Sequence, residues 1–409
     1  MTNILTMDDF DFDNRTVLVR VDFNSPIDPE TGKILEDARI RMHGETTIKE
    51  LVEKGSKVVV LAHQGRPGEP DFTSLEQHAK VLSGILGRPV RYIDDLFGEK
   101  AKSAIREMKS EEILVLQNVR TYAKERKKGT PEEQAKTEFV QSLAPLADIF
   151  VNDAFAAAHR AHVSIVGFTP VLPSVAGRIM ERELEALAKA LESPEKPCVY
   201  ILGGAKADDA LRISKYVLDN NIADYILTGG VAGHLFLVAK GLDLGRLNIE
   251  FLQKKKLMEF VQGIRELIRE YPKRIKTAPD LAIDVDGKRR EISVEELPTD
   301  YSLCDIGTKT IQQYAEIIEK AKSIVVSGPV GIFENEEFAK GTKMILEAVA
   351  NSQAFTLVGG GHTVAAVKQF ALEQKMGYIS TAGGALIEFL MGEELPGVAA
   401  LEEAAKRNP

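Results

Sequence analysis

Only two cysteines, Cys198 and Cys304, occur in 409 residues, and no CxxC spacing is present. That scarcity excludes a disulfide scaffold and a cysteine-built structural zinc site. It suits a reducing compartment, so a cytoplasmic location is expected. No secretory leader is expected from the opening residues, and no apolar run is long enough to span a membrane. Low-complexity tracts are absent too. Positive charge is in deficit, with a formal net charge of −9, which disfavours nucleic acid as a partner. No GxxxxGK[ST] occurs and no GxGxxG follows a strand, which excludes a Walker phosphate loop and a dinucleotide fingerprint.

What is present is a chain too long for one ordinary core, so two domains are expected. Its 44% hydrophobic and 28% charged content is that of a globular protein. Short apolar runs recur between helix-period segments: TVLVRVDF (16–23), KVVVLAH (57–63), EILVLQN (112–118) and DIFVNDAF (148–155). A second set comprises CVYILGG (198–204), DYILTGG (224–230), SIVVSGP (323–329), AFTLVGGG (354–361) and GYISTAGG (377–384). Continuous Val/Ile/Leu runs suit strands buried on both faces, hence parallel sheets covered by helices. The stretch VLPSVAGRIMERELEALAKALESPEKP (171–197), with a proline-flanked start, a capping serine and a PEKP stop, predicts one long connecting helix.

Ligands of such sheets bind beyond the carboxyl ends of the strands, and those ends differ between the halves. The first half carries Arg20, Arg39, His63, Arg66, Arg120 and Arg160 there, with Asp22 and Asn24 to orient them or to bind hydroxyls. Guanidinium forks suit a small, multiply charged anion. His159 and His162 lie in an alanine-rich stretch, where they face either a ligand or a packed interior. The second half ends its strands in glycine. GGAK (203–206) and GGGHT (359–363) are glycine turns entering helices, where N–H groups and the helix dipole favour anions. Lys206 adds a mobile cation, Thr363 a hydroxyl and an N–H, and Glu334 in SGPVGIFE (327–334) reaches toward a ribose hydroxyl. An anion-reading half beside a nucleotide-reading half predicts phosphoryl transfer, which needs positioning and charge neutralisation more than a base. Water would be excluded by closure about the connector.

In this order RVDFNSP, the Arg39 region, AHQGRP, VNDAFAAAHRAH, ILGGAK, SGPVGIFE, GGGHT and ELPGVAAL resemble the phosphoglycerate kinase family over essentially the whole chain, in its archaeal branch. The resemblance implies an α/β fold of two Rossmann-like domains, each a parallel sheet flanked by helices, joined by a long helix hinge. Domain bounds of 1–172 plus about 392–409, a connector over 173–192, and 193–391 are expected. The implied reaction is reversible transfer between ATP and the carboxylate of 3-phosphoglycerate, with Mg²⁺, in a monomer or homodimer. Asp22, Phe23, Asn24, Arg39, His63, Gln64, Gly65, Arg66, Arg120 and Arg160 match the family's phosphoglycerate positions. Gly203, Gly204, Lys206, Glu334, Gly359, Gly360, Gly361, His362 and Thr363 match its nucleotide positions. Arg39, Lys206, Gly361 and Gly384 match those that stabilise the transferring phosphoryl group.

The chain departs from the family pattern at four points. Ala210 stands where a second lysine is usual, with Arg212 as a substitute charge nearby. Ala382 replaces a glycine, Ser327 an asparagine, and His362 the aspartate that ligates Mg²⁺. An imidazole is a poor Mg²⁺ ligand, so no protein residue is expected to hold the metal. His362 is expected to cap its helix or to bond a phosphate or metal-bound water, with Mg²⁺ held mostly by phosphates and waters. Two other readings are a kinase for a different phospho-acid, and an inactive nucleotide-binding sensor or scaffold.

Overall fold

In a computed structural model that describes residues 4–407, the chain forms two compact units. One comprises the residues up to Glu185 together with the segment from Glu394; the other is Ala186–Glu393. Residues 1–3, 408 and 409, which belong to the expected first domain and its returning tail, lie outside the described residues.

The first unit is built on β1 (Thr16–Arg20), β2 (Lys57–Leu61), β3 (Val90–Tyr92), β4 (Ile113–Val115), β5 (Ile149–Asn152) and β6 (Ser174–Ala176). They form one parallel sheet in the order β3-β4-β2-β1-β5-β6. Alternation along β1 and β2 divides the core: Val17, Val19, Val58 and Val60 pack on one face, Leu18, Val59 and Leu61 on the other. Both faces are dry, which is why these strands read as unbroken apolar runs. A helix at Pro396–Arg407 packs on this unit, with the Gly397 N–H donating to the Ala158 carbonyl at 2.8 Å and Ala400 among Ala154, Ala157, Ile165 and Val166.

The second unit repeats the plan with β7 (Cys198–Leu202), β8 (Tyr225–Thr228), β9 (Ile275–Lys276), β10 (Asp280–Val285), β11 (Lys288–Ser293), β12 (Ser302–Ile306), β13 (Ser323–Ser327), β14 (Phe355–Gly359) and β15 (Tyr378–Ile379). Its parallel sheet runs β15-β14-β13-β7-β8-β9, and β11-β10-β12 form a separate antiparallel sheet. All nine apolar runs are strands, and both main sheets are parallel and flanked by helices, so the α/β class holds. The antiparallel sheet was not expected. Asp286 and Gly287, at φ 53° and 77°, make the two-residue turn between β10 and β11, an Asp-Gly hairpin signal visible in the sequence. Among the described residues no helix is long and apolar enough to cross a membrane.

Two local features matter for the sites. The helix that leads out of the first unit is Arg178–Leu191, shorter than the predicted connector, because Ser174 to Ala176 form β6. Ser174 is therefore a strand residue whose hydroxyl donates to the Leu172 carbonyl at 2.8 Å, not a helix cap. In the second unit Asp305, 2% exposed, accepts from Arg289 at 2.7 Å and from the Gly341 N–H at 2.6 Å. Gly331 and Gly341 both abut its other oxygen so closely that a Cβ on either would lie 2.1 Å away. Burial pushes the Asp305 carboxyl up to about 6, with Arg289 opposing.

The single proton of the buried Tyr314 hydroxyl is shared between the carbonyls of Thr228 (2.8 Å) and Lys276 (3.0 Å), tying the ends of β8 and β9. Tyr314→Phe removes that shared donor, the Lys276 carbonyl keeping the Thr228 hydroxyl at 3.0 Å, and a loss of about 1–3 kcal/mol is expected, read as a lowered unfolding temperature by calorimetry.

Candidate active site

Sheet order places a ligand crevice in each unit. In the first, β1 is followed outward by β2 on one side and later by β5 on the other, so the turns after these strands open onto a switch point. A cavity of about 650 Å³ lies there, lined by Asn24, His63, Gly65, Arg66, Arg120 and Arg160 together with Ile27, Pro29, Glu69, Pro70 and Asp71. Arg39, from the short helix Ala38–His43, is held by the Asp22 carboxylate. Asn24 accepts from the Gly65 N–H at 2.8 Å, joining the turns after β1 and β2. Gly65, at φ 63°, is required, since a Cβ there would lie 2.3 Å from the Asp71 carbonyl oxygen.

Behind this wall Arg20 is a buried cation. Its Nε donates to Ser164 Oγ at 2.8 Å, its Nη1 to the Val21 carbonyl, and its Nη2 to His63 Nδ1 at 3.0 Å. Because a guanidinium only donates, His63 Nδ1 accepts, and its proton sits on Nε2, 3.9 Å from an Asp22 oxygen. Burial, then Arg20, Arg120, Arg160 and Arg39, drives the His63 pKa well below the ordinary 6.5. His63 is thus a neutral Nε2–H donor. Glu125, 1% exposed, accepts from the Ser164 N–H (2.9 Å) and hydroxyl (2.6 Å). Burial pushes it up to about 7 against the pull of Arg20. Arg120 donates to the Gly65 carbonyl, and burial plus the neighbouring arginines bring it down to about 10, still cationic at neutral pH.

Two expected ligand residues lie inside the wall instead. Phe23 is fully buried and stacks on His78 at 6.5 Å. Gln64, also fully buried, bonds the Ser25 N–H and carbonyl, the Asp71 carbonyl and His78. Their side chains fix the turns and do not face the cavity. His159 accepts from Arg160 Nε at 3.0 Å, and His162 lies 4.0 Å from Glu125. Burial lowers them to about 4 and about 3, so both are uncharged packing partners of the arginine set.

In the second unit the switch point falls between β7 and β13. A cavity of about 420 Å³ is lined there by Gly204, Ala205, Gly230, Pro329, Gly331, Glu334 and His362, and by an apolar group that includes Leu247, Phe251 and Ile332. The glycines act differently from expectation. The Gly203 and Gly204 N–H groups are already paired with the carbonyls of Ser327 (2.9 Å) and Pro329 (2.7 Å). A Cβ on Gly203 would lie 2.2 Å from the Pro329 oxygen, and one on Gly359 would lie 1.8 Å from Leu386. Gly203 and Gly204 let backbones cross, with their N–H groups already engaged, while Gly359 leaves room for the Leu386 side chain. Gly361 differs: it starts helix Gly361–Gln369, and nothing lies within 4 Å of its Cβ position. Gly384 starts the short helix Gly384–Leu390 behind Gly383 at φ 53°. Thr363 is buried, its hydroxyl accepting from the Gly328 N–H at 2.8 Å.

Lys206 is 80% exposed and lies 3.7 Å from Asp209. Ala210 is buried in the packed face of helix Ala207–Asp219, and Arg212 pairs with Glu393. The cap of helix Gly361–Gln369 is Gly360, and His362 is one residue inside, exposed on the cavity, so the capping alternative is excluded. Among the described residues no group of three or more His, Cys, Asp or Glu could hold a metal ion.

The apolar group went unforeseen. Leu247, Phe251 and Ile332 are 47%, 44% and 46% exposed, and the first two stand one helical turn apart on Arg246–Lys254, a spacing that reads as core in sequence. Beside them His234 is held near pKa 4 by burial. The Asn248 amide is occupied by the carbonyls of Leu244 and Tyr301 and by the Leu303 N–H.

A cavity walled by fixed cations in one parallel-sheet unit, and a glycine-rimmed cleft with an apolar slot in another, define a phosphotransferase with an anionic acceptor. The family model described as phosphoglycerate kinase matches residues 7–393. A phosphoglycerate kinase of Methanothermus fervidus is 48% identical over 408 residues, covering 100% of this chain and 99% of that protein. One of Methanobacterium bryantii is 50% identical, with 97% of each covered. The crystal structure of phosphoglycerate kinase from Pyrococcus horikoshii OT3 superposes with TM-score 0.89 at 43% identity, covering 99% of this chain and 100% of that one. The chain belongs to the phosphoglycerate kinase family. Its reaction is the reversible transfer of a phosphoryl group between ATP and the carboxylate of 3-phosphoglycerate.

The histidines that the fold keeps neutral set an acid limit. His63, His78, His159, His162 and His234 stay uncharged in the fold, while the unfolded chain protonates them near 6.5. As pH falls below 6.5 the unfolded state gains more protons and is favoured; Glu125 and Asp305, whose raised values favour the fold in the same range, offset only part. The urea midpoint is expected to be lower at pH 5.5 than at pH 7.5, as measured by circular dichroism.

Proposed function

We propose that the arginine-walled cavity binds 3-phosphoglycerate and that the glycine-rimmed cleft binds the nucleotide. The observation that carries this is the set of cations and donors already fixed by protein contacts around the first cavity: Arg39 by Asp22, Arg120 by the Gly65 carbonyl, and His63 by Arg20. Such preorganised donors bind an anion with little reordering. In this reading Arg39, His63, Arg66, Arg120 and Arg160 contact the phosphate and carboxylate, and Asn24 a hydroxyl. Asp22 orients Arg39, Gly65 gives close backbone approach, and Phe23 and Gln64 hold the turns.

For the nucleotide, the base lies in the slot of Leu247, Phe251 and Ile332, and Glu334 accepts from the ribose. The phosphates reach the N–H groups at the start of helix Gly361–Gln369. Gly203 and Gly204 shape this edge by permitting close backbone crossings, Gly359 leaves room for the Leu386 side chain, Gly360 at φ 86° caps the helix, and Thr363 holds the Gly328 N–H. A carboxylate oxygen of 3-phosphoglycerate attacks the terminal phosphorus in line, and the bond to the bridging oxygen of ADP breaks. The acceptor is already an anion, so no protein group takes a proton. Arg39, Lys206 and the N–H groups of Gly361 and Gly384 neutralise the equatorial oxygens as charge spreads over them.

The side chains around the cleft do not make a Mg²⁺ cage. The donors there are Glu334 and an imidazole, His362, whereas Mg²⁺ prefers an octahedron of oxygens. We assign the ion to the nucleotide phosphates and water, with His362 bonding one of these. A cytoplasmic setting is part of the same reading, supported by two buried, unpaired thiols.

Lys206→Ala and Arg39→Ala are each expected to lower kcat about 10²–10³-fold in a coupled assay with ATP and 3-phosphoglycerate; unchanged turnover in either removes its assigned role. His362→Asp is expected to lower the Mg²⁺ concentration giving half-maximal rate, measured by metal titration at fixed ATP.

A further inference from the structure

Asp22 is tied on its far side to a group that the reaction does not use. Its backbone N–H donates to His43 Nε2 at 3.3 Å, and His43 Nδ1 lies 2.6 Å from a carboxylate oxygen of Asp153. An N–H cannot accept, so Nε2 is the acceptor and Nδ1 carries the proton that goes to Asp153. The other Asp153 oxygen accepts from the N–H groups of Ile179 (2.8 Å) and Met180 (3.3 Å), the first turn of helix Arg178–Leu191. His43 is 1% exposed and Asp153 0%. Gly177 gives Asp153 room, since a Cβ there would lie 2.3 Å from Oδ1.

A second line runs alongside. His43 ends helix Ala38–His43, which continues through a π-helical turn, Gly44–Ile48, into Lys49–Glu53. Thr47 in that turn accepts from the Arg178 N–H at 3.0 Å, and Glu50 beyond it pairs with the Arg178 guanidinium at 2.6 Å. The first turn of the same helix carries Arg39, which is held by Asp22. A continuous hydrogen-bonded path therefore joins the cavity wall to three successive N–H groups at the start of the helix that carries the chain onward from Glu185 to Ala186, where the second unit begins.

We propose that His43 is a positioning residue that transmits occupancy of the 3-phosphoglycerate cavity to the first turn of helix Arg178–Leu191, through Asp22 on one side and Asp153 on the other. The proposal rests on the reading of that cavity given above. A ligand that draws Asp22 and Arg39 together shifts the Asp22 N–H, and with it the imidazole that aims Asp153 at the helix start.

His43→Asn separates transmission from mere support. Its amide retains a donor near Asp153 but is too short to reach the Asp22 N–H. Amide hydrogen exchange is followed in wild type and variant with and without 3-phosphoglycerate. In wild type the ligand slows exchange both at residues 22–24 and at Ile179 and Met180. In His43→Asn the ligand-free exchange of Ile179 and Met180 stays near wild type, the ligand no longer slows it, and KM for 3-phosphoglycerate rises about tenfold while KM for ATP is unchanged. Thr47→Val, which loosens the helix start outside the relay, keeps the ligand response. Independently of any variant, the ring ¹⁵N resonances of His43 shift when 3-phosphoglycerate is added to wild type. Ligand protection of Ile179 and Met180 that survives in His43→Asn, or ring resonances that do not move, overturns the relay alone. Failure of the ligand to protect residues 22–24 in wild type overturns the cavity assignment and the relay with it.

Discussion

The cation at the end of β1 has no access to water, and the first unit is arranged around keeping it satisfied. Arg20 spends its donors on Ser164, the Val21 carbonyl and His63. Glu125, which accepts from the Ser164 hydroxyl, is the counter-charge that opposes the effect of burial on Arg20. Burying a guanidinium at this depth costs several kcal/mol unless its bonds are complete, so β1, the turn after β2, and the segments bearing Glu125 and Ser164 must assemble together. The reward is chemical. Arg20 imposes one tautomer on His63 and turns a residue that could titrate into a fixed donor facing the cavity.

The two cavities solve opposite problems. Around the first, like charges are crowded: after burial, Arg160 lowers both Arg20 and Arg120, and all three arginines lower His162. A bound polyanion offsets that repulsion. Around the second there is little fixed charge, and the exposed Lys206 is tethered only loosely to Asp209. Its organisation comes from backbones crossing at glycine, with Gly203 against Pro329 and Gly328 against Gly203, and from apolar area left open to water.

Most of the architecture was legible because parallel strands buried on both faces write themselves as unbroken Val/Ile/Leu runs, as β1 and β2 do. The antiparallel strands β10 and β11 alternate in polarity and are short; only Asp286-Gly287 announced them. Ser174 misled, because a serine after proline reads as a cap, whereas the helix start is served by Asp153, 26 residues from Ile179 in sequence. The arginine set was readable from its repetition at strand ends. What each glycine does was not: Gly203 and Gly361 look alike in sequence, yet one is sealed against a carbonyl and the other faces open space. His43, Glu125 and the Leu247–Phe251–Ile332 slot depend on contacts between distant segments, and no local pattern encodes those.

Asp305 carries a consequence for how this sequence can drift. Gly331 lies in the turn that leads to Glu334, and Gly341 lies at the start of helix Lys340–Asn351, yet both press on the same carboxylate oxygen. A side chain at either glycine requires a shorter residue at 305, and a shorter residue there strands the Arg289 guanidinium and the Gly341 N–H that the carboxylate serves. Every single step away from the trio is uphill, so the three positions can change only in concert. Lineages that share this packing are held to aspartate and two glycines by geometry, whatever selection acts on the nucleotide itself.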